Sequence, residues 1–341
     1  MRLVDHGGVC DGVSDNSPAL ARALARAREL RLPVLVPVGQ CAYADVIRVD
    51  GATLTGSGPG SVLHALDWRR SAIFMSGQAP VVSHLRLSGA AAPLRQADLE
   101  MTRITVSGAA GFVIDHVTID GAAAAGIQTA EGASHGRITN NVVRNTLSDG
   151  IHLTDGANHL LVEGNLVEST GDDGIAVVSY RDDRARVSHV TARGNVVRNN
   201  RWGRNMSVVG GEYVLYENNL LQNNLAGRAC LYIAQDGGEL ATKASRHVQA
   251  RRNTLEHCGG ILSGHGAAMV YSAGQEANVG ISLLDNDVQH PRGAGIRVVG
   301  PGSDVLLQSN RVTGAVRPLD VRNAAVRVIP YVGGPVGHAA R

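Results

Sequence analysis

The sequence predicts an all-β fold, a single-stranded parallel β-helix with an N-terminal capping α-helix. Seven segments carry the same mark, an asparagine followed by an apolar pair or near-pair, at Asn141, Asn165, Asn195, Asn219, Asn253, Asn286 and Asn310, recurring every 24 to 34 residues. A period of that length means that each unit cannot bury its apolar face alone and must stack on its neighbours. Within the repeats, Gly126-Ile127, Gly150-Ile151 and Gly174-Ile175 lie 24 residues apart and open short β-favouring runs bounded by Gly, Asn and Asp. The 42 glycines, against only two Phe and two Trp, suit a narrow coil with permissive corners and an interior of Val, Ile, Leu and Ala.

The elements follow in chain order. Asn16-Ser17-Pro18 offers a helix cap and an early proline, and Ala19 to Leu30 is a strong helix former with Leu20, Leu24 and Ala27 on one face. An amphipathic helix there covers the open end of the solenoid, where a terminal rung otherwise exposes core and strand edges. Pro33 to Gly39 reads as the first strand. The expected organisation is one domain: a cap over residues 1–50, coils over 51–311, less regular from Leu54 to Leu87, and an irregular carboxyl-terminal cover over 312–341.

Net charge is +2 with both signs interspersed, so no nucleic-acid or anionic-membrane footprint is present. Lys243 is the only lysine, which confines Schiff-base chemistry to one position. Cys10, Cys41, Cys230 and Cys258 lack ligand-like spacing and read as reduced, buried thiols. With no apolar leader before Asp5 and no run approaching ~18 apolar residues, the chain reads as cytoplasmic and not membrane-spanning.

The stretch Gly7-Gly8-Val9-Cys10-Asp11-Gly12-Val13-Ser14-Asp15-Asn16-Ser17-Pro18, then a helix, then Val36-Pro37-Val38-Gly39 before Tyr43, resembles the amino-terminal signature of the pectate-lyase-like superfamily. That resemblance implies a right-handed coil and leaves the activity open, since the superfamily holds hydrolases, lyases and epimerases.

Registering the rungs on the asparagines places Ala125, Asp149, Asp173, Arg204 and Arg228 in one vertical stripe, with Asp172 as a third carboxylate. Adjacent rungs of a sheet are roughly 4.8 Å apart. Two carboxylates ~5 Å apart at an effective dielectric of ~20 repel by on the order of 3 kcal/mol, so one acid is expected to hold its proton while another stays ionised. That is the division of labour of general acid–base catalysis. His152, Ser207 and Tyr232 share the parity that points outward on the same face.

Ser148-Asp149-Gly150-Ile151 and Gly171-Asp172-Asp173-Gly174-Ile175-Ala176 also resemble the paired aspartate motifs of polygalacturonase-like glycoside hydrolases. The resemblance implies Asp172 as general acid, with Asp173 and Asp149 holding the attacking water. It departs where the family places a Gly-His-Gly: Gly203-Arg204-Asn205 stands there, Gly264-His265-Gly266 comes more than two coils later, and the family's Arg-Ile-Lys is absent.

The expected function is therefore carbohydrate-active, an inverting glycoside hydrolysis by Asp149, Asp172 and Asp173, for which ~6.5 to 9.5 Å between carboxyl groups is the supporting geometry. An alternative is an isomerase or cyclase folding a small molecule in a pocket of Tyr180, Trp202, Met206 and Tyr232. Further alternatives are a polysaccharide lyase or epimerase and a non-catalytic glycan-binding solenoid. His152, Tyr180, Trp202, Arg204, Met206, Arg228 and Tyr232 are the expected substrate contacts. The partner is an oligosaccharide or small molecule, and no cofactor is expected. Calcium is the minority option, because hard cations take about six oxygens and three are evident.

Overall fold

The structure, a computed structural model, describes residues 1–274, 276–301 and 304–330. Each coil contributes one short strand to each of three parallel sheets. The first sheet runs from Val34–Leu35 to Ala325–Ile329, the second from Gly39–Tyr43 to Arg311–Thr313, and the third from Ile47–Asp50 to Arg317–Arg322. Strand order in every sheet is sequence order with a step of three, so a residue's neighbour lies one full coil away.

Alternation inside each strand sorts side chains between core and surface. In the third sheet Ile127, Ile151, Ile175, Met206, Leu231 and Ala268 form one inward column, each in register with the next. Gln128, His152, Ala176, Ser207, Tyr232, Met269, Arg297 and Asp320 form the column beside it, on the outward parity.

The repeated asparagines are the scaffold. Each is buried or nearly so; from Asn165 through to Asn310 its Oδ1 accepts both the backbone N–H and the side-chain amide of the asparagine one coil earlier, and Asn141 Oδ1 accepts the Val117 N–H. The ladder satisfies corner backbone that would otherwise be buried without partners.

Helix α1, Ser17–Leu30, buries Ala19, Leu20, Ala23, Leu24 and Ala27 against the first coils, as the amphipathic pattern predicts. Asn16 stands at the N-cap without capping: its side chain accepts the Val9 N–H at 2.7 Å and donates to the Val9, Ser14 and Ala42 carbonyls, lacing the preceding loop to the first coil.

Two expectations are corrected. The cysteines are paired, Cys10 with Cys41 and Cys230 with Cys258, because stacking brings residues 31 and 28 positions apart onto adjacent turns. The coils also continue past residue 311: Arg317–Arg322 and Ala325–Ile329 pair in register with the strands before them, and the rest of the expected cover, from residue 331, lies outside the described residues. Among the described residues no helix is long and apolar enough to cross a membrane.

Candidate functional site

The turn leading from the second sheet into the third varies in length. It is four residues long at 147–150, six at 169–174, seven at 199–205, eight at 223–230 and eleven at 257–267, and an early one spans fourteen residues, 90–103. Insertions in a solenoid collect on one face, and that face is commonly the binding face.

Glycine packing sets the geometry there. A Cβ on Gly150 would meet the Gly174 carbonyl at 2.6 Å and Val167 at 2.4 Å, and one on Gly174 would meet the Asn205 carbonyl at 2.5 Å and Val197 at 2.3 Å. Only glycine lets successive turns close to this distance, and the residue before each glycine is thereby stacked on its counterpart.

Those residues are Asp149 and Asp173. The Asp173 N–H donates to Asp149 Oδ1 at 2.9 Å, and the Arg204 N–H donates to Asp173 Oδ1 at 2.6 Å, so each carboxylate caps the backbone of the coil above. The second oxygens are also engaged. His152 Nδ1 lies 3.2 Å from Asp149 Oδ2, and the Ser207 hydroxyl donates to Asp173 Oδ2 at 2.5 Å. Asp172, beside them, caps no backbone group among the described residues and instead meets Arg95 at 2.5 Å from the long 90–103 turn. Gly203 packs directly on it: a Cβ there would meet Asp172 Oδ1 at 2.4 Å.

The three carboxylates offer oxygens that lie within 4.8 Å of one another. Their environments divide them. Burial, then the charges of Asp173 and Asp149, push Asp172 up to about 7 against the pull of Arg95. Burial also raises Asp173, with Arg204 opposing and Asp149 adding to the rise. For Asp149 burial acts upward too, but His152 outweighs it, helped by Arg95 and the Asp173 N–H, and holds the group below the ordinary carboxylate range. His152 is raised in turn: burial lowers it, and the Asp149 charge and hydrogen bond prevail. Asp172 therefore holds its proton to higher pH than Asp149, whose ionised form His152 favours. His152 Nε2 is buried without a hydrogen-bond partner among the described residues.

The expected contacts fare differently. Burial and the charges of Asp149 and Asp183 push the Tyr180 hydroxyl up to about 12, placing it within electrostatic reach of Asp149. Arg204 lies over the Tyr232 ring at 4.2 Å and within 3.9 Å of Asp173 and 3.7 Å of Asp236, while the Tyr232 hydroxyl donates to Asp236 at 2.7 Å. Trp202 is 52% exposed and carries Arg228 on its face at 4.4 Å.

Two placements correct the sequence reading. Met206 belongs to the inward column between Ile175 and Leu231 and is fully buried, so no pocket is lined jointly by Tyr180, Trp202, Met206 and Tyr232. Arg228 is one residue out of the stripe, because Met206 registers with Leu231 and Arg204 therefore with the buried Ala229.

Sequence reasoning missed Arg95, Asp236 and the placement of His265, which accepts the Ala229 N–H on Nδ1 at 3.1 Å and stacks on Tyr232 with ring centroids 5.6 Å apart. All three sit in insertions between strands, so uneven strand spacing was the available signal.

Residues 47–197 match the family described as "Right handed beta helix region". No curated protein matches the chain in sequence. Among solved structures it is similar to the Agl-KA catalytic domain, with TM-score 0.82 and 15% identity over 97% of this chain and 68% of that one. It is similar also to the catalytic unit of a thermostable GH87 alpha-1,3-glucanase from Streptomyces thermodiastaticus, with TM-score 0.71 and 16% identity over 98% and 68%. A third is the A-module of mannuronan C-5 epimerase AlgE6 from Azotobacter vinelandii, with TM-score 0.62 and 15% identity over 98% and 100%. The chain thus has the right-handed parallel β-helix fold.

Proposed function

We propose that this protein is a carbohydrate-active enzyme that cleaves a glycosidic bond at the cluster of Asp149, Asp172 and Asp173. The observation that carries the reading is the unequal treatment of three carboxyl groups held within 4.8 Å of one another: two are tied by donors at both oxygens, and one is free of backbone duty and proton-bearing near neutrality. Asp172 donates its proton to the leaving oxygen. Asp149 supplies negative charge, Asp149 and Asp173 offer lone pairs for a water, and His152 stabilises the ionised Asp149. Similarity of fold to an alpha-1,3-glucanase and a mannuronan epimerase supports a glycan as substrate.

Asp149 and Asp173 accept from backbone N–H groups, Ser207 and His152, and Asp172 meets Arg95, while the oxygens of all three lie close enough together to hold a cation, which the chelator arm of the test addresses. Two disulfides support an oxidising, extracytoplasmic setting rather than the cytoplasm, and there a glycan is readily met.

The test is turnover on a panel of glycans, with and without chelator. Asp172→Asn is expected to lower turnover at least roughly a hundredfold, the scale of a lost proton donor, with its thermal midpoint kept. Wild-type rates in that variant, or loss of activity in chelator restored by calcium, would overturn the reading.

A further inference from the structure

Along the third sheet the outward column runs on from Ser207 through Tyr232 and Met269 to Arg297 and Asp320. Four to five coils beyond Asp173, roughly 20 Å at the spacing of adjacent strands, lies a cleft of about 360 Å³. Arg292, Arg297, Arg317 and Arg322 line it together with His265, and Asp320 is the one acid among its lining residues. Three of the guanidinium groups share that carboxylate: Arg297 at 3.5 Å, Arg317 at 3.6 Å and Arg322 at 3.2 Å. Among the described residues that line the cleft, one negative charge faces four positive ones.

The donors are prepared. Arg297 is held by its Nη1 hydrogen bond to the Gly264 carbonyl at 2.7 Å, and its buried Nε lies 3.5 Å from Asp320 Oδ2. Burial, then the charges of Arg204, Arg228 and Arg297, pull His265 down to about 4, so at neutral pH the ring is uncharged. Since its Nδ1 accepts the Ala229 N–H, the ring proton sits on Nε2 as a further donor. Arg317 and Arg322 stay 60% and 55% exposed, and the exposed side chains of Ile261 and Val316 give the cleft an apolar rim.

We infer that this cleft is an anion subsite that takes a carboxylate or sulfate ester carried on a glycan chain, the apolar rim meeting the faces of the sugar ring. Guanidinium forks match the paired oxygens of both groups. The inference rests on the glycan reading only for the carrier of the charge and is independent of bond cleavage.

Titration calorimetry on the Asp172→Asn form, which does not consume the ligand, tests it with an oligouronate, a sulfated oligosaccharide and a neutral gluco-oligosaccharide of equal length. The expected result is binding of at least one anionic ligand, weakened by salt, and the stronger of the two identifies the group. Adding Arg317→Gln and Arg322→Gln, whose exposed side chains leave the core untouched, is expected to weaken that binding about tenfold or more. Equal affinity for the neutral ligand, unchanged affinity in the combined variant, or no binding of either anion would overturn the inference. Cleavage of a neutral glycan alongside any of these would leave the proposed function standing.

Discussion

The chemistry at this site turns on Asp172. Its folded carboxyl holds a proton up to about 7, whereas its ordinary value is 3.8, so between those two pH values the folded protein binds more protons than the unfolded chain. Two consequences have the same sign. Stability falls as pH rises through that window, and turnover falls as pH rises past about 7 because the donor is lost. Arg95 is the main group opposing the rise of Asp172. Arg95→Gln is therefore expected to move the alkaline limb of the kcat–pH profile to higher pH, with little change in the thermal midpoint. A limb that stays in place would mean that another group sets it.

At the scale of the element, the asparagine ladder does what a helix hydrogen-bond array does for a helix, but across coils. Asn195 accepts from the N–H and side-chain amide of Asn165, donates to the Val162 carbonyl and to Asn219, and lies fully inside the corner. Asn195→Ala strands several buried donors and acceptors at once and is expected to cost about 4 kcal/mol in denaturant unfolding. Asn310, at the last rung, has a ladder partner only in Asn286, so Asn310→Ala should cost less than half as much. Equal losses at the two positions would show that the ladder does not act through neighbour-to-neighbour bonds.

At the scale of the whole molecule, the coil has two closures beyond hydrogen bonding. Cys10–Cys41 ties the cap segment to the second sheet's first strand, and Cys230–Cys258 ties adjacent turns on the site face. Replacing Cys230 and Cys258 with serine is expected to lower stability by about 2 to 4 kcal/mol, read as a lower thermal midpoint under non-reducing conditions. An unchanged midpoint would mean that stacking alone holds those turns. The site face also places the carboxylate cluster and the arginine cleft on one line, four to five coils apart, which no smaller unit of the protein contains.

Periodicity was written plainly in the chain: the recurrent asparagines and the Gly-Ile pairs placed the coils, because each repeats one local solution to the same packing problem, and the amphipathic run up to Leu30 placed the α1 cap. The stacking of Asp149 on Asp173 followed from that period alone. What the period could not carry was anything that depends on the length of an irregular turn. One residue of offset moved Arg228 out of the stripe, strand parity sent Met206 into the core, and the long turns delivered Arg95 to Asp172 and His265 to Tyr232. The cysteines paired for the same reason: distance in a solenoid is set by coil number and register, and only the folded coil fixes both.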